Sequence, residues 1–290
     1  MTALPPVCDR YVMAAAPLLL EHLAAVAPGY DALVCDVWGV LHNGHAAFAP
    51  ACAALKTFRA NHGRVILLSN APRPPSDLED QFERLGVPLD CYDAIVTSGG
   101  ATREELARRR GAAIMHLGPE RDLGLFAGLD LQRTDLARAD VVVCTGLYED
   151  ETEGPADYRE LLARMKARSL AMICANPDLV VQRGGRLVHC AGALAKAYES
   201  LGGEVVYYGK PHRPIYDHVR AVAGGARRFL AIGDGLATDI KGANAAGIDA
   251  VFIADGIHGE DVKAFTAAHM AELFAGAGLH AIAAMRALVW

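Results

Sequence analysis

Short apolar runs alternate with stretches of helical periodicity along most of the chain. The runs "DALVCD" (31–36), "RVILLS" (64–69), "YDAIVT" (92–97), "EVVYYG" (204–209), "RFLAIG" (228–233) and "DAVFIA" (249–254) are predicted strands. Each is too short for a buried helix. Apolar residues at successive positions suit a parallel sheet covered on both faces. "REELARRR", "ADYRELLARMKAR" and "RPIYDHVRAVA" carry helical patterns between them. Another helix is expected after Pro72, Pro74 and Pro75, where Ser76 and Glu79 have capping-box spacing and Gly86 supplies the stop. Strand–helix alternation of this kind predicts a doubly wound α/β fold with a parallel, Rossmann-like sheet.

Between about 100 and 203 come further α/β-like repeats, "AAIMHLG", "DVVVCTG" and "LAMICA", and "VVQRGGRLVH" predicts a hairpin about Gly184-Gly185. One long sheet would accommodate them, but an inserted second α/β unit fits the length better. The expected division is a main domain of residues 1–99 and 204–290 and an inserted domain of residues 100–203.

Composition narrows the class. The chain has 290 residues, 52% of them hydrophobic and 21% charged, so a large core forms and general disorder is excluded. A formal charge of −6 argues against nucleic acid as a partner. The basic run Arg108-Arg109-Arg110 ends a predicted helix just before Gly111, where it complements the helix dipole. Seven cysteines (Cys8, Cys35, Cys52, Cys91, Cys144, Cys174 and Cys190) are scattered through the chain. They read as reduced thiols of a cytoplasmic protein rather than a disulfide framework or zinc site. The N-terminal stretch lacks a basic region, and Glu21 and His22 interrupt its apolar residues, so neither a signal peptide nor a membrane partner is expected. A homodimer is one assembly open to such a chain.

Ligands of open parallel sheets bind outside the carboxyl ends of the strands. Four runs end there in polar residues: the first in Asp36, the second in Ser69-Asn70, "EVVYYG" in Lys210, and "RFLAIG" in Asp234, followed by Thr238 and Asp239. Singly, each has a bland reading as a turn, a helix cap or a surface residue. Together their chemistry is coherent. A carboxylate attacking a phosphoryl group meets an anion, and like unit charges ~4 Å apart repel by about 4 kcal/mol at an effective dielectric near 20. Positive charge must offset that. Asp36, Asp234 and Asp239 offer the hard oxygens that Mg²⁺ prefers, Lys210 is a fixed cation, and Ser69, Asn70 and loop amides can bind phosphoryl oxygens. The set reads as phosphoryl transfer through an aspartyl phosphate.

The motifs "DVWGV", "LLSN", "GKP" and "GDGLATD", in that order, resemble those of the haloacid dehalogenase (HAD) superfamily. "ANPD" (175–178) and "AGAL" (191–194) resemble pieces of the large α/β cap of its class IIA, the NagD-like phosphatases. The resemblance spans about residues 30–255. It implies Asp36 as nucleophile, Ser69 as phosphate ligand, Lys210 as charge stabiliser and Asp234 as Mg²⁺ ligand. Asp239 would support the metal directly or through water, and the inserted unit would be the cap. The implied function is a Mg²⁺-dependent phosphohydrolase acting on a small phosphorylated metabolite, sugar- or nucleotide-phosphate-like.

One position departs from the family. The residue two after the nucleophile is a second aspartate in family phosphatases, where it protonates the leaving group and activates water. Here it is Trp38. The family uses the backbone carbonyl at that position for the metal, so Trp38 remains a candidate ligand. General acid–base help is worth ~10²–10⁴-fold. His42 is the nearest titratable substitute, or else an incidental hydrogen bonder. Trp38 itself reads either as an apolar wedge between core and cap or as a stacking wall for substrate. Asn176, Asp178 and His189 are candidate cap contacts to substrate, although Asn176-Pro177-Asp178 is equally a good turn. His258 is expected at a helix entry.

Two other functions stay open. A C–halogen or C–P hydrolase would also lack the second aspartate, but dehalogenation needs no cation and C–P cleavage needs a Schiff-base lysine, for which the inserted unit offers only Lys166 and Lys196. A non-catalytic or weakly active phosphometabolite-binding or regulatory protein would bind ligands without efficient turnover.

Overall fold

The computed structural model describes residues 16–183, 186–256, 262 and 264–290. Cys8, His258 and the hairpin turn at Gly184-Gly185 lie outside these residues.

The strands are β1 (Leu18–Leu19), β2 (Ala32–Asp36), β3 (Arg64–Ser69), β4 (Ala94–Thr97), β5 (Ala113–Leu117), β6 (Gln132–Arg133), β7 (Val141–Cys144), β8 (Ala171–Cys174), β9 (Val180–Arg183), β10 (Arg186–His189), β11 (Val205–Tyr207), β12 (Phe229–Gly233), β13 (Asp249–Ile253) and β14 (Ala283–Met285). The helices are α1 (Ala49–Asn61), α2 (Pro75–Leu85), α3 (Ser98–Arg108), α4 (Arg159–Ala167), α5 (Ala191–Ser200), α6 (Arg213–Val222), α7 (Lys241–Ala246) and α8 (Ala267–Ala277).

Seven strands form the main sheet in the order β1-β14-β13-β12-β2-β3-β4, all parallel. Alternate residues of β2 explain why both faces are apolar. Leu33 and Cys35 pack under α1 and α2 with Leu55, Phe58, Leu78 and Phe82. Ala32 and Val34 face the other way, toward Ile215, Tyr216, Val219, Met270 and Phe274 of α6 and α8. The chain runs outward from β2 through β3 to β4, and in the opposite direction from β12 through β13 to β14. The order therefore reverses between β2 and β12, and the crevice at their carboxyl ends is the topological switch point where such sheets bind ligands.

A second parallel sheet has the order β11-β8-β7-β5-β6. Met172, Cys174 and Val142 meet Leu162, Met165 and Tyr198 of α4 and α5 on one face, while Ile114, Val143 and Ile173 meet Leu106 of α3 and Phe126 on the other. β9 and β10 form a separate antiparallel ribbon, as the hairpin pattern predicts.

Two expectations need correction. The "EVVYYG" run does not join the main sheet: Val205, Val206 and Tyr207 pair with Met172, Ile173 and Cys174 in the second sheet. β11 is a half-buried edge strand there, with Val205 and Tyr207 packed beside Tyr198. A three-residue apolar run states that a strand forms, not which sheet it completes. The predicted capping box at Ser76 is also absent. Pro74 is the N-cap and Pro75 opens α2, while the Ser76 hydroxyl turns to Asp77 at 3.4 Å. Proline at the first helical position suits that start because its φ is pre-set and it has no N–H to satisfy. Gly86 does end the helix, with φ +76°. Among the described residues no helix is long and apolar enough to cross a membrane, and Cys35, Cys52, Cys91, Cys144, Cys174 and Cys190 are buried thiols.

Phe58 ties α1 to the main sheet and is fully buried. Phe58→Ala should lower unfolding stability by about 3–5 kcal/mol, read as a lower denaturant midpoint with little change in slope.

Candidate active site

β2 delivers Asp36 to the carboxyl edge of the sheet, where it is only 8% exposed. Lys210 comes from the segment just past β11, and its Nζ lies 2.5 Å from Asp36 Oδ1 and 2.8 Å from Asp239 Oδ1. Carboxylate oxygens of Asp36, Asp234 and Asp239 all lie within 4.8 Å of one another.

Local sequence makes that crowding possible. After Gly233 the chain enters a wide helical turn, Leu236–Ile240, in which the Gly235 carbonyl accepts the N–H groups of Asp239 (2.8 Å) and Ile240 (3.1 Å). Such π-type turns recur at functional sites. This one folds Asp239 back over the strand end. A Cβ on Gly233 would lie 2.2 Å from Asp239 Cγ, so only glycine fits. The other Asp239 oxygen accepts from the Gly235 N–H (3.1 Å) and the Thr238 hydroxyl (3.3 Å). Gly256 makes the same allowance for Asp234, since a Cβ there would lie 2.2 Å from Asp234 Oδ2.

One buried ammonium bonds two of the three buried carboxylates, Asp36 and Asp239. Burial pushes the Asp36 carboxyl above its usual range, Asp239 adds to that, and Lys210 pulls against it. Burial alone would lower Lys210, but Asp239 and Asp36 outweigh it and hold the ammonium charged. Three hard carboxylate oxygens this close together fit a divalent cation such as Mg²⁺.

Ser69 ends β3 beside Asp36, and its Oγ accepts the Ala71 N–H at 3.2 Å. The Asn70 side chain bonds within the protein. Its Oδ1 accepts the Lys210 N–H at 2.7 Å, and its Nδ2 donates to the Lys210 carbonyl at 3.2 Å and to Asp178 Oδ1 at 2.7 Å. An amide NH₂ has two hydrogens, and both are engaged within the protein here. The pairing spans 140 residues, and no local spacing signals it.

His42 is not brought to the carboxylates. It is 1% exposed, its ring lies edge-on to Phe82 and Trp38, and its Nδ1 accepts the Gly44 N–H at 3.1 Å. Burial lowers it to about 4, which keeps it neutral. It is a core histidine that shapes the loop carrying Trp38. The Trp38 indole lies over Gly44, where φ is +85° and a Cβ would sit 2.5 Å from the ring. His189 ends the ribbon in an exposed position beside Gly154. Asn176 Oδ1 accepts the Asp178 N–H at 3.1 Å, so it builds the turn. Lys166 reaches the Gly202 carbonyl and Lys196 reaches Glu199 at 3.5 Å, both on exposed helix surface.

A sequence profile of haloacid dehalogenase-like hydrolases matches residues 33–132, and a HAD-hydrolase-like profile matches residues 207–277. The crystal structure of a haloacid dehalogenase-like hydrolase from Brucella suis is 46% identical, covers 93% of this chain and 100% of its own, and superposes with a TM-score of 0.82. The chain belongs to the haloacid dehalogenase-like hydrolase family. It is thereby an enzyme of the hydrolase class, related to the NagD-like phosphatases. The D-glycerol 3-phosphate phosphatase of Mycobacterium tuberculosis is 29% identical over 244 residues, and the chain spans 81% of itself and 66% of that enzyme's length in the match. That phosphatase has been crystallised with calcium and with magnesium, and the magnesium structure superposes with a TM-score of 0.65 at 26% identity over 83% of this chain and 73% of that one. The ribonucleotide monophosphatase NagD of Escherichia coli is 27% identical over 79% of this chain and 89% of its own.

A buried neutral histidine in a loop-building role makes a specific expectation. His42→Asn keeps an acceptor for the Gly44 N–H, and its turnover should fall by far less than the ~10²-fold that loss of a general acid costs. Steady-state kinetics on any hydrolysed substrate checks it.

Proposed function

We propose that the protein is a Mg²⁺-dependent phosphohydrolase of small phosphorylated metabolites, sugar- or nucleotide-phosphate-like, that works through an aspartyl phosphate on Asp36. One observation carries the reading: the Lys210 ammonium, 3% exposed, lies 2.5 Å from Asp36 and 2.8 Å from Asp239 within a cluster of three carboxylates. A cation set against a carboxylate at a switch point suits attack on an anion. The kinship with phosphatases of glycerol phosphate and ribonucleotides supports the substrate class.

In this reading Asp36 attacks phosphorus through one carboxylate oxygen, and the bond from phosphorus to the leaving oxygen breaks. Lys210 offsets charge on the nucleophile and the phosphoryl oxygens, and Ser69 and loop amides hold those oxygens. Water then hydrolyses the acyl phosphate and restores Asp36. Asp36, Asp234 and the Trp38 carbonyl would hold the metal, with Asp239 beside them. When bound, the metal supplies charge neutralisation and orientation of the phosphoryl group. The unit bearing the second sheet, expected at 100–203 and extended by β11 to Tyr207, would serve as a cap that selects substrates and excludes water. Dehalogenation needs no cation, so the oxygen cluster of Asp36, Asp234 and Asp239 argues against it, and a C–P hydrolase would need a lysine that Lys166 and Lys196 do not supply.

Trp38 then shapes selectivity. Its indole moves no proton, so leaving groups that depart as stabilised anions are favoured. Aryl and acyl phosphates should turn over much faster than alkyl esters, with phosphorylated Asp36 accumulating in rapid-quench mass spectrometry. Trp38→Asp should raise alkyl-ester turnover by up to ~10²-fold if the new carboxylate is well placed. Equal wild-type rates on aryl and alkyl esters would show that another group supplies the proton.

The metal assignment has its own test. Asp234→Asn should weaken Mg²⁺ binding strongly in calorimetry while the thermal transition of the metal-free protein stays cooperative. Unchanged affinity would remove Asp234 from the ligand set.

A further inference from the structure

We infer that Asp178 is a positioning residue that acts on Lys210 through Asn70, and not a contact to substrate. The inference rests on the role proposed for Lys210. Asn70 and Lys210 are 5% and 3% exposed, so the bonds between them are little diluted by water. Asn70 grips the Lys210 residue at both ends, accepting its N–H at 2.7 Å and donating to its carbonyl at 3.2 Å. The second Nδ2 hydrogen goes to Asp178 Oδ1 at 2.7 Å. An ionised carboxylate only accepts, so Asp178 holds the Asn70 amide in the one orientation that presents its oxygen to the Lys210 N–H. The opposite orientation would set donor against donor at the Lys210 N–H, and acceptor against acceptor at the Lys210 carbonyl and at Asp178.

The surrounding packing leaves no slack. A Cβ on Gly209 would lie 2.4 Å from Pro177 Cδ and 2.6 Å from Asn70 Oδ1, so the loop after β8 rests directly on the Gly209–Lys210 peptide. A Cβ on Gly192 would lie 2.2 Å from the Pro177 carbonyl oxygen, so the start of α5 presses the same loop from its other side. Past Lys210, the Tyr207 and His212 rings stack 4.4 Å apart at 9°, and the His212 N–H closes on the Gly209 carbonyl at 2.8 Å. Lys210 thus sits in a segment that also ends the second sheet, and its backbone is set by a side chain of the main sheet and a loop of the second. The ammonium must meet two carboxylates at 2.5 and 2.8 Å. A loosened backbone would spoil both distances at once. Position of the second-sheet unit and readiness of Lys210 are therefore one coupled variable.

Hydrogen exchange reads this lock without any substrate. In the full chain labelled with ¹⁵N-lysine, the Lys210 amide of Asp178→Ala should exchange at least about tenfold faster than in wild type, because a charge-assisted bond is lost. Asp178→Asn keeps an acceptor oxygen and should restore slow exchange. Kinetics should follow: Asp178→Ala lowers kcat by the same factor for aryl and alkyl phosphates, with KM nearly unchanged. If Asp178→Ala fails to fold, Asp178→Ser, whose hydroxyl is too short for the bond, takes its place. Unaltered Lys210 exchange, or a KM rise that differs between substrates, would overturn the inference and make Asp178 a substrate contact. Failure of the phosphohydrolase reading would look different: no phosphate turnover by the wild type, with Lys210 exchange still responding to Asp178.

Discussion

Three carboxylates and one ammonium, nearly free of solvent, are the constraint around which the rest is arranged. Buried charge is tolerated only where partners and hydrogen bonds offset the lost hydration. Lys210 meets Asp36 across 174 residues of sequence and Asp239 across 29. The main sheet satisfies the requirement by setting β12 next to β2 at the point where strand order reverses. Asp36 and the Asp234 segment then emerge side by side. The clustering of their hard oxygens is what makes a divalent cation the natural complement.

Glycine supplies the room. The "GDGLATD" segment looks like a flexible turn in one dimension, but Gly233 is the surface on which the Asp239 carboxylate rests, and Gly256 plays the same part for Asp234. The wide turn at Leu236–Ile240 is the second half of this solution, since it redirects Asp239 toward Lys210. A carboxylate cluster of this density needs backbone without side chains on several sides. Its glycines are steric requirements rather than hinges.

Around Trp38 the loop is organised by aromatic packing and not by proton chemistry. The indole covers Gly44 and meets the buried His42 ring edge-on at 5.4 Å, 83°. The same histidine is neutral and committed to the Gly44 N–H. Polarity is therefore low beside the Trp38 ring.

Much of this was legible in the residues alone. The strands at β2, β3, β12 and β13 follow from local apolar runs, and Asp36, Ser69 and Asp234 fall at their ends because a strand fixes direction one residue at a time. Both parallel sheets follow from two-sided apolarity. Other features belong to no local segment. Which sheet received β11 depended on the partner that could bury Val205 and Tyr207. His42 became a core residue because Phe82 and Trp38 closed over it. The Asn70 side-chain amide is engaged by Lys210 and Asp178, 140 and 108 residues away. Sequence determined the elements and the chemistry at their ends, since propensity, periodicity and glycine content act over a few residues. Tertiary structure decided which polar groups are spent on one another, since hydrogen-bond capacity is allotted only when distant segments meet.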